Sequence, residues 1–176
     1  MAVLPFGPAL VEMPWMGLDT IGSPEIPTGC FVKAIAKAPF GEIPVAGIII
    51  PYHMSNVTHG TKDRRSWEDH ESCLDGLFGI VRDLPAGSLV MGDFNQRIPF
   101  SWGSRRLNEK LLDTFSPMEI LTTGTVEPIG DLAIDHIACG RAWKTIRVKG
   151  ISNVREDGGR ISDHFGLCAE LQSVTL

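Results

Sequence analysis

The chain has little of what would place it at a glance. Its four cysteines, Cys30, Cys73, Cys139 and Cys168, are far apart and form no Cys-x-x-Cys pair. That spacing argues against a cysteine zinc site and leaves free thiols in a reducing compartment as the default. Basic excess is absent, with 16 Lys and Arg against 21 Asp and Glu. The balance argues against a broad nonspecific nucleic-acid surface, though not against a local basic patch. Low-complexity tracts are absent too. The apolar N-terminus has no basic flank and is interrupted by Pro5, Pro8 and Pro14, so it reads as neither a signal peptide nor a membrane span. The expectation is a soluble cytoplasmic protein. With 43% hydrophobic and 21% charged residues, the 176 residues suit one domain, 1–176, with a sizeable core.

What is present centres on residues 88–96, Ser-Leu-Val-Met-Gly-Asp-Phe-Asn-Gln. Leu89, Val90 and Met91 make the short apolar run of a buried strand, and Gly92 is expected to break it. Asp93 and Asn95 follow two residues apart. If the extended backbone persists, both side chains share one side, and a carboxylate beside a carboxamide at a strand end is a place for chemistry. The competing reading is a plain turn, for which Gly, Asp and Asn are ordinary residues.

Upstream, residues 1–29 are rich in Pro and Gly and predict few regular elements beyond a short strand near Ala9–Val11. Residues 30–38 alternate as a strand, and Val45–Ile50 is a near-continuous apolar run, predicted to pair antiparallel to it through the turn at 39–44. His53 stands just past that run, where a structural histidine is the commoner case. Lys62, Asp63, Arg64 and Arg65 read first as a solvated face and second as phosphate binders. Ser66, with Asp69 three residues on, predicts a helix start. Its buried stripe would be Trp67, Leu74, Leu77, Phe78, Val81 and Leu84, with His70 at the edge. Phe100 and Trp102 are candidates for substrate stacking or core anchoring. Ser104 predicts the cap of a second helix over 105–115. Arg105 and Arg106 in its first turn are mildly unfavourable against the helix dipole and call for compensating contacts.

Residues 131–139 read as one strand, in which Asp135 is a carboxylate needing a cationic or donor partner. Beyond a strand near Thr145–Val148, Asp163 and His164 precede a last strand, Leu167–Leu171. An imidazole oriented by a carboxylate is a standard acid/base device.

Three motifs therefore stand in order: Gly-Asp-Phe-Asn (92–95), Ile-Asp-His-Ile (134–137) and Ser-Asp-His (162–164). With the apolar run ending near His53, they resemble the endonuclease/exonuclease/phosphatase superfamily of metal-dependent phosphoesterases, from about residue 30 to the C-terminus. That group includes pancreatic-type deoxyribonucleases, abasic-site endonucleases, sphingomyelinases and inositol-phosphate phosphatases. The resemblance implies an α/β fold, a four-layer sandwich of two mixed sheets flanked by helices. It also implies Mg2+, or Mn2+, as cofactor and a phosphoester, nucleic acid or smaller, as partner. By the same resemblance Asp93 positions or deprotonates the attacking water and Asn95 orients it. Asp163 is a metal carboxylate. His164 meets the scissile phosphate, with Asp135 as its orienting carboxylate, and His53 donates to a phosphate oxygen. His136 receives no role, since alternation points it away from Asp135. The family's first strands carry an Asn and a metal-binding Glu that find no counterpart. Glu12 echoes the Glu strand but stands close to His53 for this family and reads as not the ligand. The chain reads as starting partway through the domain, with the N-terminal strands missing, and the rival expectation is an inactive fragment or binding module.

Overall fold

The computed structural model describes residues 26, 30–38, 41–55, 57 and 65–174. The expected strand near residue 10, Glu12 and the 62–64 charge run lie outside them. Eleven elements are described in the order β1 (Phe31–Ala38), β2 (Gly41–Ile49), α1 (Glu68–Arg82), β3 (Leu89–Asp93), α2 (Arg105–Thr114), β4 (Glu119–Ile120), β5 (Thr125–Val126), β6 (Asp131–Leu132), β7 (Asp135–Cys139), β8 (Trp143–Ile151) and β9 (Gly166–Ser173).

A five-stranded mixed sheet runs β1-β2-β3-β7-β4. β1 and β2 form the predicted antiparallel pair. β2 and β3 are parallel, connected through α1, with Ile49 beside Asp93. β7 lies antiparallel to β3. One face of the sheet buries Phe31, Ala46, Ile48, Val90 and Ala138 with Leu74, Leu77 and Val81 of α1 and Leu111 of α2. Burial of each valine, leucine, isoleucine or phenylalanine side chain contributes about 1.5–3 kcal/mol. The β8–β9 hairpin forms a separate two-stranded sheet. The fold class is the expected α/β, with mixed pairing and helices packed on a sheet.

Several local expectations change. Gly92 does not end β3. Its φ is 143°, and an added Cβ would sit 1.9 Å from the Ile48 carbonyl oxygen, so glycine is what lets the strand run on to Asp93 against β2. Residues 131–139 are two strands: Asp131–Leu132 pairs with β5, and only Asp135–Cys139 joins the main sheet. Between them the Ile134 carbonyl accepts from the Phe94 amide at 3.0 Å.

Ser66 does not cap α1. The N-cap is Trp67 at φ 72°, without a side-chain cap bond. Ser66 Oγ and the Trp67 amide both donate to the His53 carbonyl, at 3.1 and 2.7 Å. The helix start is instead complemented by Glu68, Asp69 and Glu71 in its first turn. Phe78 leaves the buried stripe and lies 39% exposed, with the Arg82 guanidinium 3.5 Å above its ring. Ser104 caps α2 as expected, accepting from the Leu107 amide. The two first-turn arginines find their compensation. Arg106 makes a fork-to-fork pair with Glu71, both bonds 2.6 Å, which draws that carboxyl down to about 2. Arg105 lies over the Phe100 ring at 4.6 Å.

Candidate active site at the strand ends

The parallel register of β2 and β3 delivers both chains to the same end of the sheet. There the Ile50 amide donates to the Asp93 carbonyl at 2.8 Å. Asp93, the last residue of β3, turns its side chain back on the chain that follows. Oδ1 accepts from the Asn95 amide at 2.9 Å and Oδ2 from Asn95 Nδ2 at 2.7 Å. Asn95 Nδ2 also donates to the Ile50 carbonyl at 2.8 Å. Asn95 therefore sits at φ 52°, a left-handed position that asparagine tolerates. The two side chains meet through this turn rather than through strand alternation. Phe94, between them, points into the core against Phe115, ring centroids 4.7 Å apart.

Asp135 lies directly across from Asp93 in the β3–β7 register. The loop between β8 and β9 brings in His164, whose Nδ1 is 2.7 Å from Asp135 Oδ2. This is the partner that Asp135 requires. One ligand atom each of Asp93, Asp135 and His164 lie within 4.8 Å of one another. The electrostatics follow from that crowding. Burial raises the Asp93 carboxyl pKa and the charge of Asp135 adds to it, outweighing the Asn95 bonds. Burial opposes a charge on His164, but the bond and charge of Asp135, with Asp93 and Asp163 behind them, raise its pKa overall. Asp163 stands outside the tight group, its side chain 91% exposed and its carboxylate 3.8 Å from His164 Nε2. Asp135, Asp163 and His164 share a small pocket, about 90 Å³, with Arg97 and Phe165.

His53 leaves β2 at this same sheet end, but its ring belongs to an aromatic cluster. Centroids of Trp102 and Trp67 lie 4.9 and 5.5 Å away. His136 faces the core, as alternation requires. Its Nε2 meets the Gln96 carbonyl and its Nδ1 the Thr122 hydroxyl, both at 2.8 Å.

Two residues escaped the sequence reading. Gln96 is buried, and its amide nitrogen faces His70 Nε2 at 2.6 Å and the Leu107 carbonyl at 3.2 Å. Its Oε1 accepts from Asn108. With His136 on its main chain, Gln96 fixes the segment after Asn95 from both sides. Its partners lie on α1 and α2, so sequence spacing carries no sign of them. Arg97 gave a weak signal, a cation two residues past Asn95.

The sequence has no match among protein-family models and no significant match among curated proteins. Solved structures do match. An endonuclease/exonuclease/phosphatase from Beutenbergia cavernae DSM 12333 aligns over 81% of this chain and 39% of its own, with TM-score 0.54 and 16% identity. D. rerio TDP2 in complex with a single-strand DNA product aligns over 81% and 61%, with TM-score 0.53 and 9% identity. A humanized D. rerio TDP2 carrying 14 mutations gives 81% and 58%, 0.52 and 13%. The chain has the endonuclease/exonuclease/phosphatase fold that its three motifs resemble. It spans between 39% and 61% of the length of these structures.

Proposed function

We propose that the chain is a divalent-metal-dependent phosphoesterase acting on a phosphodiester. The observation that carries this reading is the convergence of Asp93, Asp135 and His164 from three distant stretches of sequence within 4.8 Å. The donor set suits Mg2+ or Mn2+, hard cations that take oxygen ligands. Two facing carboxylates, one with its pKa raised by burial and by the other's charge, form a site that a cation would relieve. Asp93 and Asp135, with Asp163 at the rim, are the residues that would hold it, and the bound ion would neutralise phosphate charge.

The protein's own groups supply the rest. Asp93, held by two bonds from Asn95, is placed to position the attacking water. His164 keeps its Nδ1 proton on Asp135, which leaves Nε2 directed at a phosphate oxygen; its raised pKa favours the charged donor form. His53 and Arg97 are further donors to the phosphate. Residues 1–176 act as one domain in this reading. The four free cysteines fit a cytoplasmic setting, and among the described residues no helix is long and apolar enough to cross a membrane.

Titration calorimetry with Mn2+, paired with hydrolysis of bis(p-nitrophenyl) phosphate with and without EDTA, tests the proposal. Wild type should bind the ion and hydrolyse the diester only in its presence, and Asp93→Asn should weaken both by at least about tenfold. The second reading, an inactive or binding module, is favoured by the cluster's make-up: among the described residues no glutamate joins Asp93, Asp135 and His164. A chain that binds no ion and turns over no diester would establish that reading instead.

A further inference from the structure

At the same sheet end as the site stands a group of rings, of which only His53 enters the chemistry above. Tyr52 and Trp102 are 46% and 62% exposed. His53 lies between them, centroids 5.8 Å from Tyr52 and 4.9 Å from Trp102, edge to face in both cases. Trp67 lies beneath, 6.0 Å from Trp102 and 5.1 Å from the buried ring of His70. The loop is shaped for this arrangement. Gly103 has φ 93°, and a Cβ there would fall 2.6 Å from the Trp67 indole, so the backbone lies on Trp67 while the neighbouring Trp102 points outward.

We propose that Tyr52 and Trp102, seated on His53 and Trp67, form a stacking subsite for a nucleobase, so that the phosphodiester reaching Asp93 and His164 belongs to a single-stranded nucleic acid. The inference deepens the phosphoesterase reading and rests on it. The placement supports it. Ile50 is hydrogen-bonded to both Asp93 and Asn95, and His53 follows three residues later, at most about 11 Å along the chain. A base one or two nucleotides from the cleaved phosphate spans such a distance at about 3.4 Å or more per nucleotide. One cation lies on each side, though the pocket beside Trp67 also holds Glu68 and Glu71. Arg97 lines the pocket of Asp135 and His164, and Arg65 lines the adjoining open pocket with Trp67. Alternating aromatic and basic residues bind single strands with little regard to sequence, each stacked base adding affinity. A lipid surface fits less well, because four of the exposed aliphatic residues, Ile146, Ile151, Val154 and Ile161, belong to β8 and the loop after it, and Ile49 is the one exposed aliphatic residue within three positions of Tyr52.

The test compares two short fluorescein-labelled oligomers in EDTA by anisotropy, oligo-dT and a base-free tetrahydrofuran oligomer of equal length. Wild type should bind the base-bearing strand about tenfold more tightly. Trp102→Ala and Tyr52→Ala should erase that preference and leave affinity for the base-free strand unchanged, while Trp102→Phe should retain it. Both residues are exposed, and the Phe variant guards against a folding defect in the Ala variants. Equal wild-type affinity for the two oligomers, or a preference that survives both Ala variants, would overturn the proposal. So would Trp102-dependent partitioning onto phosphatidylglycerol vesicles without base preference. Base preference in a chain that hydrolyses no diester would uphold the subsite and reject the enzyme.

Discussion

Mild acid should destabilise this protein through His70. The ring is fully buried on α1. Its Nδ1 faces the Pro51 carbonyl at 2.7 Å and its Nε2 faces the Gln96 amide nitrogen. The carbonyl takes a proton from Nδ1, so Nε2 must accept, and a second ring proton would oppose the Gln96 N–H. Burial accordingly brings the pKa down to about 4 from 6.5, against the pull of the Pro51 bond. The sign follows from this. As pH falls through 6.5 the unfolded chain takes up the proton first, so stability is complete above that value and is lost progressively down to about 4. For this one group the loss is about 2 kcal/mol at pH 5 and about 3 kcal/mol at pH 4. His136, whose pKa burial also lowers, acts in the same direction. Glu71 enters only at lower pH, below about 4.5, so a comparison of pH 7.5 with pH 5 separates the two. In urea, followed by tryptophan fluorescence, the midpoint should fall by at least about 1 M between those pH values. In His70→Gln the shift should shrink to less than half. An equal shift in His70→Gln, or none in wild type, would refute the assignment.

Two further outcomes are expected. Asp135→Asn keeps the side-chain shape but removes the charge that raises the His164 pKa. Turnover of a phosphodiester should fall by about a hundredfold, and the His164 ring should titrate at lower pH by NMR; full activity in this variant would remove the dyad from the mechanism. Gly92→Ala forces a Cβ onto the Ile48 carbonyl, and should cost more than about 3 kcal/mol in urea unfolding, where a loss under 1 kcal/mol would show that β3 can move aside.

The parts of the fold legible in the sequence were those written in local pattern. The alternating strand before residue 40, the apolar run after it, the apolar stripe of α1 and the Ser104 cap all needed only neighbours along the chain. The Asp135–His164 contact was legible for a different reason: a carboxylate in an apolar strand demands a partner, and the family arrangement that the three motifs resemble names His164 as that partner. What stayed hidden depended on distant backbone. Gly92 looks like a strand breaker until the Ile48 carbonyl is seen to occupy the space of its side chain. Ser66 has the chemistry of a cap, but the His53 carbonyl takes its hydroxyl. Gln96 is a polar residue in a loop by sequence and the centre of a buried network in space, because its partners arrive from two helices. Asp163 shares its motif with His164, and the structure brings only the histidine into the tight group.

β7 carries Asp135 and His136 side by side, one turned to the site and the other to the core, and this has a consequence for how the sheet finds its register. Each residue is satisfied only on its own face, Asp135 by His164 and His136 by Thr122 and Gln96. A slip of one position along β3 would exchange them, placing a carboxylate among Phe94 and its neighbours and leaving the imidazole's two bonds unmade. Purely apolar alternation penalises such a slip by lost burial alone. Here two polar residues with opposite requirements add a second penalty, so the strand that builds the site also rejects misaligned versions of it.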